Sequence, residues 1–203
     1  MRFTAASSAC ALRSRELRHV ALALIGLVVL SACKSTDAVS PETAGIARMR
    51  QLTSPYSDLA VATAAGYSVW SPDPTAVGAT CPSSAVGNMG YHRVNVALRG
   101  GAGDPAAGDA IIDVDKPEML VYEKSASGAM VLVGVEYLVF KAAWERAKGV
   151  GAPAPTILGR PLLLDSHVFP GNAASLEHYE LHVWIWKDNP AGMFAPYNSR
   201  VTC

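Results

Sequence analysis

The run His178-Tyr179-Glu180-Leu181-His182-Val183-Trp184-Ile185-Trp186 alternates strictly between two kinds of side chain. Tyr179, Leu181, Val183 and Ile185 are apolar, and His178, Glu180, His182, Trp184 and Trp186 are polar or aromatic with a polar edge. A period of two is the pattern of a strand whose faces meet different surroundings. A helix would stack His178 over His182, but the following Val-Trp-Ile-Trp favours a strand. In a strand, residues four apart lie about 13 Å from each other, too far to share one ion. The chain therefore needs a sheet with one aliphatic face packed on other elements. Its opposite face, carrying His and Trp, is expected to line a concave surface.

The remaining elements fit that requirement. Ser40-Pro41 with Glu42 reads as a helix start, followed by Ile46, Met49 and Leu52 at helical spacing. Ser54-Pro55 repeats the signal, with Tyr56, Leu59, Ala60 and Ala64 on one face and Gly66 as the stop. Beyond Gly66, strands are predicted over Val86–Leu98, Glu118–Glu123, Ala129–Val139, Ile157–Leu164 and His178–Trp186. Ser125–Gly128 reads as a hairpin loop, Lys141–Lys148 as a short helix and Arg99–Gly108 as a surface loop. Helices first and strands after give an α+β fold, a single domain over 40–203. Its sheet is mostly antiparallel, with the two N-terminal helices packed on one face.

The first 32 residues are of another kind. Arg2, Arg13, Arg15 and Arg18 precede an apolar run from Val20 to Leu30, which is eleven residues long. A basic leader, a short apolar stretch and small residues form the pattern of an export signal. A membrane-spanning helix needs roughly 20 apolar residues. Leu30-Ser31-Ala32-Cys33 resembles the bacterial lipobox, whereas Cys10 has small neighbours but no apolar run before it. The resemblance implies a lipoprotein precursor: signal peptide 1–32, a lipid on the Cys33 thiol and a lipidated tether over 33–39. It further implies attachment to a membrane through acyl chains. Lys34, where Asp would mark retention at the inner membrane, leans towards the outer membrane of a Gram-negative envelope.

Without the leader's four Arg and one Glu, the 17 basic and 17 acidic residues become 13 and 16. The domain is mildly acidic and has no Lys/Arg cluster, which argues against nucleic-acid binding. Protein partners leave no signature. Cys81 and Cys203 remain as a pair and read as a disulfide in an oxidising compartment, two reactive thiols being the alternative.

Four histidines remain after His19 goes with the leader: His92, His167, His178 and His182. Imidazole is the commonest ligand for zinc, copper and iron, with carboxylates completing many sites. Glu136 interrupts the apolar run Val131–Phe140 and, if buried, needs a cation, hydrogen-bond donors or a metal. The candidate metal set is His182 with His92 and Glu136 from neighbouring strands, and His178 beside them. Glu180, Trp184 and Trp186 are expected to line the pocket. A divalent transition metal, zinc or copper, is the candidate cofactor. A pocket for a non-metal ligand stays open, as does a bare sheet face with Glu136 paired to Arg93, Arg146 or Arg160.

No Gly-x-Ser-x-Gly elbow, His-Glu-x-x-His helix or paired-Cys motif occurs, and no catalytic residue is assigned. Asp113, Asp115 and Glu118 read as a solvated turn rather than a calcium loop. The segment His178–Asn198, with Gly90-Tyr91-His92 and Val135-Glu136-Tyr137, resembles a group of uncharacterised exported bacterial proteins, a resemblance that implies no activity. Asn189-Pro190-Ala191-Gly192 reads as a turn, after which Met193, Phe194 and Tyr197 fold back onto the sheet. Two functions follow as expectations: a lipid-anchored domain with a His/Glu/Trp-lined site for a transition metal, or an envelope interaction or assembly lipoprotein without small-molecule chemistry. The second requires His92, Glu136 and His182 to lie apart.

Overall fold

Each helix start is fixed by local chemistry. In the computed structural model, which describes residues 40–100, 108–169 and 174–203, the Ser40 hydroxyl accepts from the Thr43 amide at 3.1 Å. This cap opens α1 (Pro41–Thr53), whose buried face carries Ile46 and Met49. The expected leader, Cys33 and the tether lie outside the described residues, as does most of the Arg99–Gly108 loop. The second helix begins differently from its expected start. Ser54-Pro55 opens only a single 3-10 turn, Ser54–Ser57, and Asp58 then caps α2 (Leu59–Ala64) by accepting from the Ala60 amide at 2.7 Å. Gly66 ends it with φ +97, a conformation that glycine adopts without strain.

The chain continues directly into a strand that the sequence reading missed, β1 (Tyr67–Ser71). The predicted strand Val86–Leu98 is broken. β2 (Ser83–Ser84) and β3 (Gly87–Asn88) form a small hairpin, and β4 (Tyr91–Asn95) follows Gly90. Gly90 has φ +82, and a Cβ there would lie 2.7 Å from the Tyr122 carbonyl oxygen. Backbone passes so close at this point that only glycine fits. β5 (Met119–Lys124) and β6 (Met130–Phe140) form the expected hairpin, closed by the Ser125 amide donating to the Ala129 carbonyl at 2.8 Å. The helix α3 (Lys141–Lys148) matches its predicted bounds.

The predicted strand Ile157–Leu164 is really three pieces. β7 (Thr156–Ile157) and β8 (Arg160–Pro161) turn at Leu158-Gly159, both with positive φ, and β9 (Leu163–Val168) follows. Two consecutive positive φ values make the tight turn that reverses the chain there. β10 (Ser175–Val183) ends three residues short of Trp186.

Six strands pair antiparallel in the order β1-β4-β5-β6-β10-β9. The β5–β6 register shifts between Val121 and Tyr122, an irregularity of the kind that bends a strand and curls a sheet. One face carries the main apolar core, in which Tyr137, Val139, Leu181 and Val183 pack with Ile46, Met49 and Ala62 of the helices. The α+β assignment, with the N-terminal helices on one face, therefore holds. The other face is apolar only at its ends. Val94, Met119, Leu138, Phe140 and Phe169 cluster at one end, and Val121, Val133, Trp184 and Val201 at the other. Between them lies a polar centre.

The C-terminal segment is tied back as expected. Trp184 donates its backbone amide to Met193 O at 2.9 Å, and Met193 and Phe194 pack on the main core. Cys81 and Cys203 stand at disulfide distance, with Cα atoms 5.5 Å apart and 122 residues between them in sequence. The acidic turn needs a correction. Asp115 pairs with Arg48 and Asp113 with Lys116, but Glu118 is buried, and its carboxyl accepts from the Leu138 amide at 3.0 Å. Glu118 directly precedes β5, and its carbonyl accepts from the Asn95 amide of β4 at 2.9 Å, which ties it to the sheet.

Two outcomes test this description. Breaking the Cys81–Cys203 link gives back to the unfolded chain conformational entropy worth about 4–5 kcal/mol in the chain-entropy account of so long a loop. Cys81→Ser with Cys203→Ser is therefore expected to lower denaturant midpoints clearly while leaving the circular dichroism of the folded state unchanged. Burial, with little relief from the Leu138 amide, raises Glu118 well above its ordinary 4.5. Its folded value thus exceeds its unfolded value, so its contribution is full below 4.5 and is lost as pH rises through the folded value. Glu118→Gln should flatten the decline of stability that sets in as pH rises above 4.5, read from melts across pH.

Candidate metal centre

The polar centre is built by register. His182 of β10 stands directly opposite Glu136 of β6, so the two side chains share a face. His92 of β4 reaches them across β5, where Met119 is the cross-strand partner of Glu136. The curl of the sheet closes that gap. His92 Nε2 lies 3.0 Å from Glu136 Oε2 and 3.0 Å from His182 Nε2, and His182 Nε2 lies 3.5 Å from Glu136 Oε2. All three residues are buried, Glu136 and His182 at 2 % exposure. They converge, so the geometric condition of the interaction-lipoprotein reading is not met.

None of the arginines weighed as partners reaches Glu136 in the bonds they make. Arg93 donates to the Tyr67 carbonyl and lies over the Trp70 ring, Arg146 donates to the Gly108 carbonyl, and Arg160 pairs with Glu42. Glu136 is paired with His92 instead. Burial works against the charge on His92, but the Glu136 carboxylate and its hydrogen bond raise the imidazole above its ordinary value. Burial equally opposes the charge on Glu136, yet His92 holds its carboxyl below the usual range. For His182, burial is only partly countered by Glu180, and the ring is pushed down to about 3. His182 is thus neutral at ordinary pH, and its approach to Glu136 is not an ion pair. One proton on His92 Nε2 then serves both Glu136 Oε2 and the lone pair of His182 Nε2.

The ring orientations suit ligation. His92 Nδ1 sits 3.3 Å from the Ser71 carbonyl, which it reaches by donating its hydrogen, leaving Nε2 turned inward. Metal-bound imidazoles commonly give their second N–H to a carbonyl or carboxylate in this way. His182 Nδ1 is buried without a hydrogen-bond partner among the described residues, and Glu180 Oε1 stands 3.9 Å away. A slight shift would close that pair. These buried His and Glu side chains can hold a metal ion.

His178 departs from its expected place. It is four residues from His182 on a strand, and it joins Glu180, Asp165 and His167 in a second group on the same face. Glu180 lines the cavity, as expected. Trp184 does not: it stacks on His182 with centroids 5.7 Å apart and donates Nε1–H to the Ala195 carbonyl. Trp186 lies past the end of β10, is half-exposed, and directs Nε1 towards Thr53 Oγ1 at 3.4 Å, on the helical side. The alternation breaks there because Trp186 leaves the β10 ladder and donates its amide to Val133 O.

Both groups open on one cavity of about 890 Å³, whose walls include Met89, Met119 and Tyr197. Sequence reasoning missed Asp165. Its signal was Asp165-Ser166-His167, which repeats the spacing of His178-Tyr179-Glu180 on the neighbouring strand. Comparison with protein-family models, with curated proteins and with solved structures gives no match for this chain.

Proposed function

We propose that this protein is an exported, lipid-anchored domain that binds a divalent transition metal, zinc or copper, through His92, Glu136 and His182. The observation that carries the metal is the spacing of the three donor atoms. A tetrahedral ion with bonds of about 2.0–2.1 Å sets its ligand atoms roughly 3.3–3.4 Å apart. The separations of 3.0, 3.0 and 3.5 Å bracket that value. Two imidazoles and one carboxylate would leave at least one position open on such an ion, and all three residues line the cavity. This is the arrangement of a site that admits a water or a small ligand to the ion. Binding displaces the proton held by His92, and His182 needs none removed.

Nitrogen and oxygen donors suit zinc and copper(II), while the Met89 and Met119 thioethers on the same walls would favour copper(I). The export and anchor reading rests on the leader and on Leu30-Ser31-Ala32-Cys33. It is supported by the cysteine pair at disulfide distance, which fits an oxidising compartment. No helix among the described residues is long and apolar enough to cross a membrane. Stable attachment would therefore fall to acyl chains, of which two or more are needed.

Metal analysis of the full-length protein purified without an affinity tag checks the site. Wild type is expected to carry zinc or copper, and His182→Ala and Glu136→Gln each lose one equivalent per chain. Added metal should raise the melting temperature of the wild type, by an amount that grows with concentration over Kd, and raise that of His182→Ala by less. Equal, negligible metal in all three would end the reading. The anchor has its own test. Cys33→Ser should move the protein from the detergent-extracted membrane fraction to the soluble one and abolish incorporation of labelled palmitate.

A further inference from the structure

The geometry points to a second cation site at the mouth of the cavity, formed by Asp165 and His167 of β9 with His178 and Glu180 of β10. Asp165 is the cross-strand partner of His178, so both side chains stand on one face of the sheet. His167 and Glu180 are two residues further along their strands and share that face. The four donor atoms lie within 4.8 Å of one another. This is wider than a filled tetrahedral site, and Asp165 and His167 are exposed, so small rotations at the edge strand can draw the donors in.

An ordinary His178–Glu180 ion pair, at 3.1 Å, explains two of the four residues. It does not explain the other two. The His167 ring lies edge-on to His178 with centroids 4.4 Å apart, and a second acid faces them from the opposing strand. His178 is also oriented as a ligand. Its Nδ1–H donates to the Leu176 carbonyl at 2.8 Å, leaving Nε2 directed at the Glu180 carboxyl. Two imidazoles and two carboxylates form a donor set for a divalent ion of the zinc type.

This site uses different ligands from the one formed by His92, Glu136 and His182, and does not rest on that reading. The two sets have no ligand in common. Glu180 links them. Its Oε2 contacts His178, while its Oε1 stands 3.9 Å from Nδ1 of His182. A cation at the mouth would hold Glu180 in place as the partner that orients His182. The outer site is partly open to solvent and exchanges its ion faster than the buried one.

Titration of the metal-free, full-length protein with zinc alone, and separately with copper(II) alone, tests this, with bound metal counted per chain by mass spectrometry. Wild type is expected to bind two equivalents. Asp165→Asn with His167→Gln, both exposed and thus safe for the fold, should bind one. His182→Ala should bind one as well, and the combined variant none. If the Asp165/His167 variant matches wild type in number and affinity, the second site is overturned and the first stands. If that variant binds nothing while His182→Ala binds as wild type does, the second site stands and the first reading falls. Glu180→Gln should remove the outer equivalent and weaken the inner one by about tenfold. Unchanged inner affinity would overturn the link.

Discussion

The register of β10 between β6 and β9 carries the whole arrangement. Its residues alternate between an aliphatic set, which joins the helices in the main core, and a His/Glu set, which meets Glu136 and Asp165 across the ladders. A slip of one residue would exchange the two sets. His and Glu would then enter the apolar core, while Leu181 and Val183 would face the cavity. Because unpaired buried charge costs several kcal/mol per ion, that alternative is strongly disfavoured. The same alternation that makes the fold unique therefore also fixes which side chains surround the cavity.

The polar face poses a problem that the fold must solve. Glu136 and Glu180 are buried side chains near each other and near three imidazoles. Without a cation, a proton on His92 neutralises Glu136, and His178 serves Glu180 in the same way. A metal would replace such a proton with a double charge at the same place. Apolar residues flank this centre at both ends, and charges buried among them attract more strongly than they would in bulk water.

Much of this was legible in the chain. The strand alternation of His178–Val183, the hairpin at Ser125–Gly128, the helix at Lys141–Lys148 and the stop at Gly66 all follow from local rules, and all recur in the structure. The failures also share a physical cause. Ile157–Leu164 looked like one strand, because its apolar composition hid the turn at Leu158-Gly159. Trp186 was placed on the wrong side by extending the alternation past the point where the β10 ladder ends. Glu118 looked solvated beside Asp113 and Asp115, since acidity in sequence says nothing of which way the next strand points.

The sequence by itself determined which residues could share a face: a period of two puts His178, Glu180 and His182 together whatever surrounds them. It also singled out Glu136 as a carboxylate in an apolar run that would need a partner. Only the tertiary structure decided who that partner is. His92 and Glu136 are separated by 44 positions and belong to strands that are not neighbours. Their 3.0 Å contact depends on the curl of the sheet across β5, and the assignment of His178 to a second group depends on the pairing with β9. Such distances are set by strand order and curvature, which are products of packing between distant segments and leave no periodic trace along the chain.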